Sequence, residues 1–79
     1  MAQYFFHLFN DEQAIDLDGM ELPSTLTAYD HARNMARILA TECIKERGRL
    51  FMGHRIEVCD EHGRKILTVN FSDVMIIDR

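Results

Sequence analysis

Two cysteines, one proline and four glycines in 79 residues are too few for a disulfide framework or a disordered linker. Cys43 and Cys59 have no metal-ligand spacing and fall in different expected elements, so they read as small buried hydrophobes in a reducing compartment. No apolar run approaches the length of a membrane span, and the opening MAQYFFHLFNDEQ has neither the basic start nor the long apolar stretch of an export signal. The expected setting is the cytoplasm, with no membrane partner. Positive charge is also short: nine Lys and Arg face thirteen Asp and Glu, a formal net charge of −4, which argues against nucleic acid as a partner. Catalytic signatures are missing as well, since no nucleophile elbow, zinc-protease helix, phosphate loop or dinucleotide fingerprint occurs. No enzyme activity and no cofactor are expected.

What is present is the patterning of one small domain spanning residues 1–79. The clearest stretch is His54 to Phe71, two β-branched runs around Asp60-Glu61-His62-Gly63-Arg64. An even loop centred on His62-Gly63 places Val58 opposite Leu67, Ile56 opposite Val69 and His54 opposite Phe71 on one apolar face. It also sets Glu57 beside Thr68, Cys59 beside Ile66, Asp60 beside Lys65 and Glu61 beside Arg64. Slipping by one residue would put Glu57 on the apolar side, where an unpaired carboxylate is expensive. In that loop both His62 and Gly63 take positive φ.

Upstream, Tyr4 to Phe9 is a dense aromatic strand, with Tyr4, Phe6 and Leu8 on one side and Phe5, His7 and Phe9 on the other. Both sides are apolar, which points to a sheet covered twice. Asn10 to Glu12 reads as a turn, Gln13 to Leu17 as a short second strand, and Met20 to Leu22 as an extended lead into Pro23. Asp16-Leu17-Asp18-Gly19 opens like a calcium loop but lacks the later ligands and the closing Glu, so an Asp-Gly turn explains it. A helix starts within Ser24 to Thr27, where Thr27 to Asp30 resembles a capping box, and stops at Gly48. Its apolar stripe is Ala28, Ala32, Met35, Ala36, Leu39 and Cys43, flanked by Tyr29 and Ala40, with Arg33, Asn34, Arg37, Thr41 and Lys45 facing water. Arg49 to Gly53 is a connector, and Val74 to Ile77 forms an apolar tail.

The expected fold class is α+β, an antiparallel three- to four-stranded sheet with one helix on one face, in the order β-β-α-β-β. At this length a single core is close to marginal, which favours self-association. The expected role is a non-enzymatic interaction or regulatory module acting as a homodimer. Phe5, His7, Phe9, Cys59, Ile66 and Thr68, on the face that the helix leaves open, are its candidate contacts. Burying His7 in that contact would make the dimer sensitive to pH. Arg33 and Arg37, one turn apart on the helix, are the candidate anion contacts. The four histidines share no ligand spacing, so no metal is expected.

Three motifs carry a resemblance: Tyr4-Phe5-Phe6-His7-Leu8; Asp18-Gly19-Met20-Glu21-Leu22-Pro23; and Arg55 to Val58 with Asp60 to Arg64 and Leu67-Thr68-Val69. Nearly the whole chain is similar to a family of small proteobacterial proteins, common in rhizobia and their relatives, catalogued only as a domain of unknown function. The family often carries an acidic residue where this chain has Leu26 or Thr27, and usually lacks Cys59. The resemblance implies no activity and no functional residues. A fold-level likeness to the antitoxin partner of HicA-type toxins implies, as an alternative, a regulator that binds nucleic acid or a toxin. A further alternative is a small-molecule or metal-binding domain.

Overall fold

A computed structural model describes residues 1–10, 13–49 and 53–74. The elements run β1 (Ala2–Phe9), β2 (Gln13–Ala14), β3 (Met20–Leu22), α1 (Thr25–Arg47), β4 (Arg55–Cys59) and β5 (Lys65–Asn70), followed by a 3-10 turn at Phe71–Val74. The class is α+β, as expected, but among the described residues the sheet has five strands because Met20–Leu22 pairs as a strand instead of merely leading into the helix. The second strand is shorter than the expected Gln13 to Leu17: only Gln13 and Ala14 pair. The turn expected at residues 10–12, the connector at 49–53 and the tail at 74–77 lie largely outside the described residues.

β1 is central, with β4 on one side and both β2 and β3 along the other, and all pairs are antiparallel. Its aromatic, β-branched-poor sequence tolerates this because Tyr4 and Phe6 project into the core while their neighbours project to the opposite face. The buried Tyr4 hydroxyl reaches the Thr25 hydroxyl at 3.5 Å, so the polar tip of a core ring is satisfied.

The helix is capped at Ser24, whose hydroxyl accepts the Thr27 N–H at 3.2 Å, so Thr27 receives the cap instead of making one. Gly48 ends it in the left-handed region (φ 72°), donating its N–H to the Ile44 carbonyl at 2.7 Å. Lys45 and Arg47 in the last turn complement the negative helix end. The buried stripe is narrower than expected. Ala28, Ala32, Ala36 and Ala40 are each 0% exposed, whereas Met35 and Leu39 pack only partly and Cys43 is half-buried. A ladder of alanines lets the helix axis approach the sheet closely. The bulk of the core then comes from below, with Ile56, Val58 and Phe71 fully buried. Each contributes about 1.5–3 kcal/mol of transfer free energy.

The β4–β5 register is the expected one at Ile56–Val69, Glu57–Thr68 and Val58–Leu67. Near the turn it departs: Cys59 faces Lys65, not Ile66, and Ile66 becomes the extra residue of a bulge. The loop is therefore three residues, Glu61-His62-Gly63, closed by Asp60 N–H to the Arg64 carbonyl at 2.9 Å, so neither Asp60 with Lys65 nor Glu61 with Arg64 forms a pair. Only Gly63 takes positive φ (79°); no non-glycine among the described residues does, so His62 is not left-handed. The Asp60 carboxylate decides the choice by accepting the N–H groups of both His62 and Arg64 at 2.9 Å. Those two donors, Arg64 foremost, hold its carboxyl below the usual range.

Candidate functional site

The register along β1 breaks between its two short partners. Leu8 faces Ala14 and Tyr4 faces Met20, four steps along β1 against six along the partner segment. The surplus forms a loop, residues 15–19, where the ladder is replaced by side-chain bonds. Asp16 organises it. One carboxylate oxygen accepts the Phe6 N–H at 3.1 Å, and the other accepts the N–H groups of Asp18 and Gly19 at 3.1 Å each. The Asp16 N–H in turn donates to His7 Nδ1 at 3.1 Å, and Gln3 Nε2 donates to the Asp18 carbonyl at 2.7 Å. Partial burial alone would raise the Asp16 carboxyl, but the three N–H donors and the neighbouring His7 ring hold it below the usual range.

The loop thus lies against Gln3, Phe5 and His7, the β1 residues that face away from the helix. At Gly19 the fit is tight and φ is 73°, so an added Cβ would sit 2.9 Å from Phe5 Cε1 and 3.0 Å from Gln3 Nε2. Gly19→Ala is expected to destabilise the domain by about 1–2 kcal/mol in urea titration, more than Gly48→Ala, where only the positive φ is at stake. Equal losses at the two sites would show that the Phe5 contact is unimportant.

Phe5, His7, Phe9 and Cys59 do share the face opposite the helix, as the sequence implies. That face is not bare, however. The 15–19 loop covers Phe5 and His7, and the Arg55 guanidinium stands 4.6 Å from the Phe9 ring centroid while Arg55 Nε bonds Glu57 at 2.8 Å. Cys59 is only 9% exposed. Burial, with the Glu57 and Asp60 carboxylates beside it, pushes its thiol up, so it stays protonated and a poor nucleophile. Ile66 and Thr68 are different: both are exposed, on the outermost strand.

On the helix side the same loop borders a cleft of about 520 Å³, lined by Phe6, Leu8, Ile15, Met20, His31 and Met35 among others. His31 meets Phe6 edge-on, with ring centroids 4.7 Å apart.

A family model for a domain of unknown function, DUF6894, matches residues 3–72. The chain belongs to this family. No curated protein and no solved structure matches it. The DUF6894 match takes in the loop, the helix, all of β4 and β5, and nearly all of β1.

Within this DUF6894 fold the remaining sequence candidates stay apart. Arg33 lies over the Tyr29 ring at 5.9 Å and Arg37 is exposed one turn on, both outside the alanine ladder. Of the other histidines, His54 is buried edge-on against Phe71 with centroids 5.7 Å apart, and His62 sits in the hairpin turn. Among the described residues, no three His, Cys, Asp or Glu side chains gather as a metal site. Sequence reasoning placed Asp16 at the end of a short strand and read Asp18-Gly19 as an ordinary turn. The signal available was the Asp-x-Asp-Gly spacing itself, because an Asp two and three residues before free N–H groups commonly turns its carboxylate onto them.

Proposed function

We propose that this domain is a non-enzymatic interaction module that works as a homodimer, joined by antiparallel pairing of β5 with β5 of a second copy. The observation that carries the reading is that β5, six residues long, is an edge strand, paired among the described residues only with β4. Such a strand presents a row of unused N–H and C=O groups that template another strand. Which residues present them follows from alternation. Phe71 donates its N–H to the His54 carbonyl at 3.0 Å, so Ile56–Val69 and Val58–Leu67 are the hydrogen-bonded pairs of the ladder. Thr68 and Asn70 therefore direct their backbone groups outward.

A two-fold axis at Thr68 makes the pairing self-complementary. Thr68 meets Thr68, a favourable cross-strand pair, and the half-buried Leu67 meets Val69 of the second copy on the helix side, extending the core. A second copy also suits a domain whose helix contributes mainly alanine to its interior. The same reading places the protein in the cytoplasm of a proteobacterial cell, in keeping with its two free cysteines.

Sedimentation velocity at micromolar concentration is expected to give a dimer. Thr68→Pro removes an outward N–H without touching the β4 ladder, and is expected to weaken dimerisation at least about 100-fold while leaving the far-ultraviolet dichroism unchanged. Hydrogen exchange at the Thr68 and Asn70 amides should be slow in the dimer. A monomeric wild type, or fast exchange at both amides in a dimer, would sink the reading.

A further inference from the structure

We propose that His7 and Asp16 form a proton-operated clasp that holds the 15–19 loop closed while the His7 ring is neutral and loosens it once the ring is protonated. His7 Nδ1 accepts the Asp16 N–H at 3.1 Å, so the closed state requires a neutral ring with its proton on Nε2. Adding a proton converts Nδ1 from an acceptor into a donor. Two N–H groups then point at each other, and the contact has to part. Histidine is the side chain whose unperturbed charge changes between about pH 5 and 8.

The surroundings supply the protonated ring with somewhere to go. The Asp16 carboxylate approaches from the loop, and the Glu57 carboxylate faces His7 directly from β4. Glu57 is shared with Arg55 through the 2.8 Å bond. Thr68, the next residue in the row on β5, carries no charge. Two carboxylates and one engaged guanidinium therefore welcome a positive ring once its Nδ1 has let go of the Asp16 N–H.

Release has reach because the Asp16 backbone and carboxylate are parts of one residue. When its N–H loses its acceptor, the carboxylate still holds Asp18 and Gly19 within the loop and the Phe6 N–H on β1, so the loop moves as a unit about that one remaining Asp16 bond to β1 and shifts against Phe5. Ile15, Asp16, Asp18 and Gly19 also wall the cleft beside Met20, His31 and Met35, so its shape changes with the clasp. The device acts within a single chain and does not depend on β5 pairing.

The test is amide hydrogen exchange by NMR on the full chain at about pH 7.5 and about pH 5.5, compared as protection factors, alongside the imidazole titration of His7. Protection at Asp16 is expected to fall at least tenfold at the lower pH, with a midpoint that tracks His7, while Gly19, still bonded to the Asp16 carboxylate, and β4 are unchanged. His7→Asn places a non-titrating amide oxygen at the position of Nδ1, and is expected to keep the loop protected at both pH values. Equal wild-type protection at the two pH values would overturn the proposal. So would a pH response that persists in His7→Asn.

Discussion

Replacing Ala36 with leucine is expected to destabilise the domain by about 3 kcal/mol, the largest effect of any substitution considered. Ala36 is 0% exposed, in the middle of a ladder whose other members, Ala28, Ala32 and Ala40, are equally enclosed. A leucine there has no void to enter, and overpacking a filled interior costs roughly 1–3 kcal/mol. The upper end applies because the helix cannot yield locally. Lifting it at Ala36 opens the contacts at Ala32 and Ala40 as well. For a domain of this size the melting temperature should drop by about 12–24 °C. Urea denaturation measures the change directly, with Ile38→Ala, at a position 60% exposed on the same helix, as a control expected to stay within about 0.5 kcal/mol. A loss below about 1 kcal/mol at Ala36 would mean that the helix stands further from the sheet than the ladder requires.

Asp16→Ala is expected to be nearly as damaging, about 2–3 kcal/mol at neutral pH, since hydrogen bonds to a charged acceptor are worth roughly 1.5–3 kcal/mol each and water replaces them only in part. Three backbone donors, from Phe6, Asp18 and Gly19, lose their acceptor at once. The pH dependence has a definite sign. The Asp16 carboxyl is held below its usual range in the folded state, so its contribution is complete above the unfolded carboxylate value of about 3.9 and is lost as pH falls through the lower, folded value. The stability gap between wild type and Asp16→Ala, followed by urea titration, should therefore be flat from neutrality to about pH 5 and close only below about pH 3.9. A gap already closing at pH 6 would show that ionisation of the Asp16 carboxyl is not what sets it. Asp16→Asn, which keeps one acceptor oxygen, should fall between the two.

Much of the β4–β5 hairpin is legible in the letters because a period-two pattern with one buried face admits a single register over its length. Ile56, Val58, Leu67 and Val69 leave no alternative that keeps Glu57 out of the core. The turn is not legible in the same way. Gly63 suits a two-residue and a three-residue loop equally well, and the decision rests on where the Asp60 carboxylate finds its donors. The bulge at Ile66 follows from that decision. The helix stripe is visible as an apolar repeat, but periodicity alone does not say that only its alanines are fully enclosed while Met35 and Leu39 stay at the margin. Least legible is the covering of Phe5 and His7. It depends on a two-residue jump in register between β2 and β3, carried by bonds from one carboxylate to backbone N–H groups, and no repeat of hydrophobicity encodes that.

β1 takes its neighbours from segments far apart in the sequence. One edge is filled by residues 13–22, which follow it almost immediately, and the other by β4, where Phe5 meets Cys59. A ribosome therefore delivers the aromatic β1 well before its main partner. Until β4 emerges, Tyr4, Phe5, Phe6, Leu8 and Phe9 have half a sheet at most, and their pairing must wait for the slow closure of a long loop. β1 is in this sense the last strand to find its place, and a growing chain carries these sticky residues only partly covered until β4 emerges.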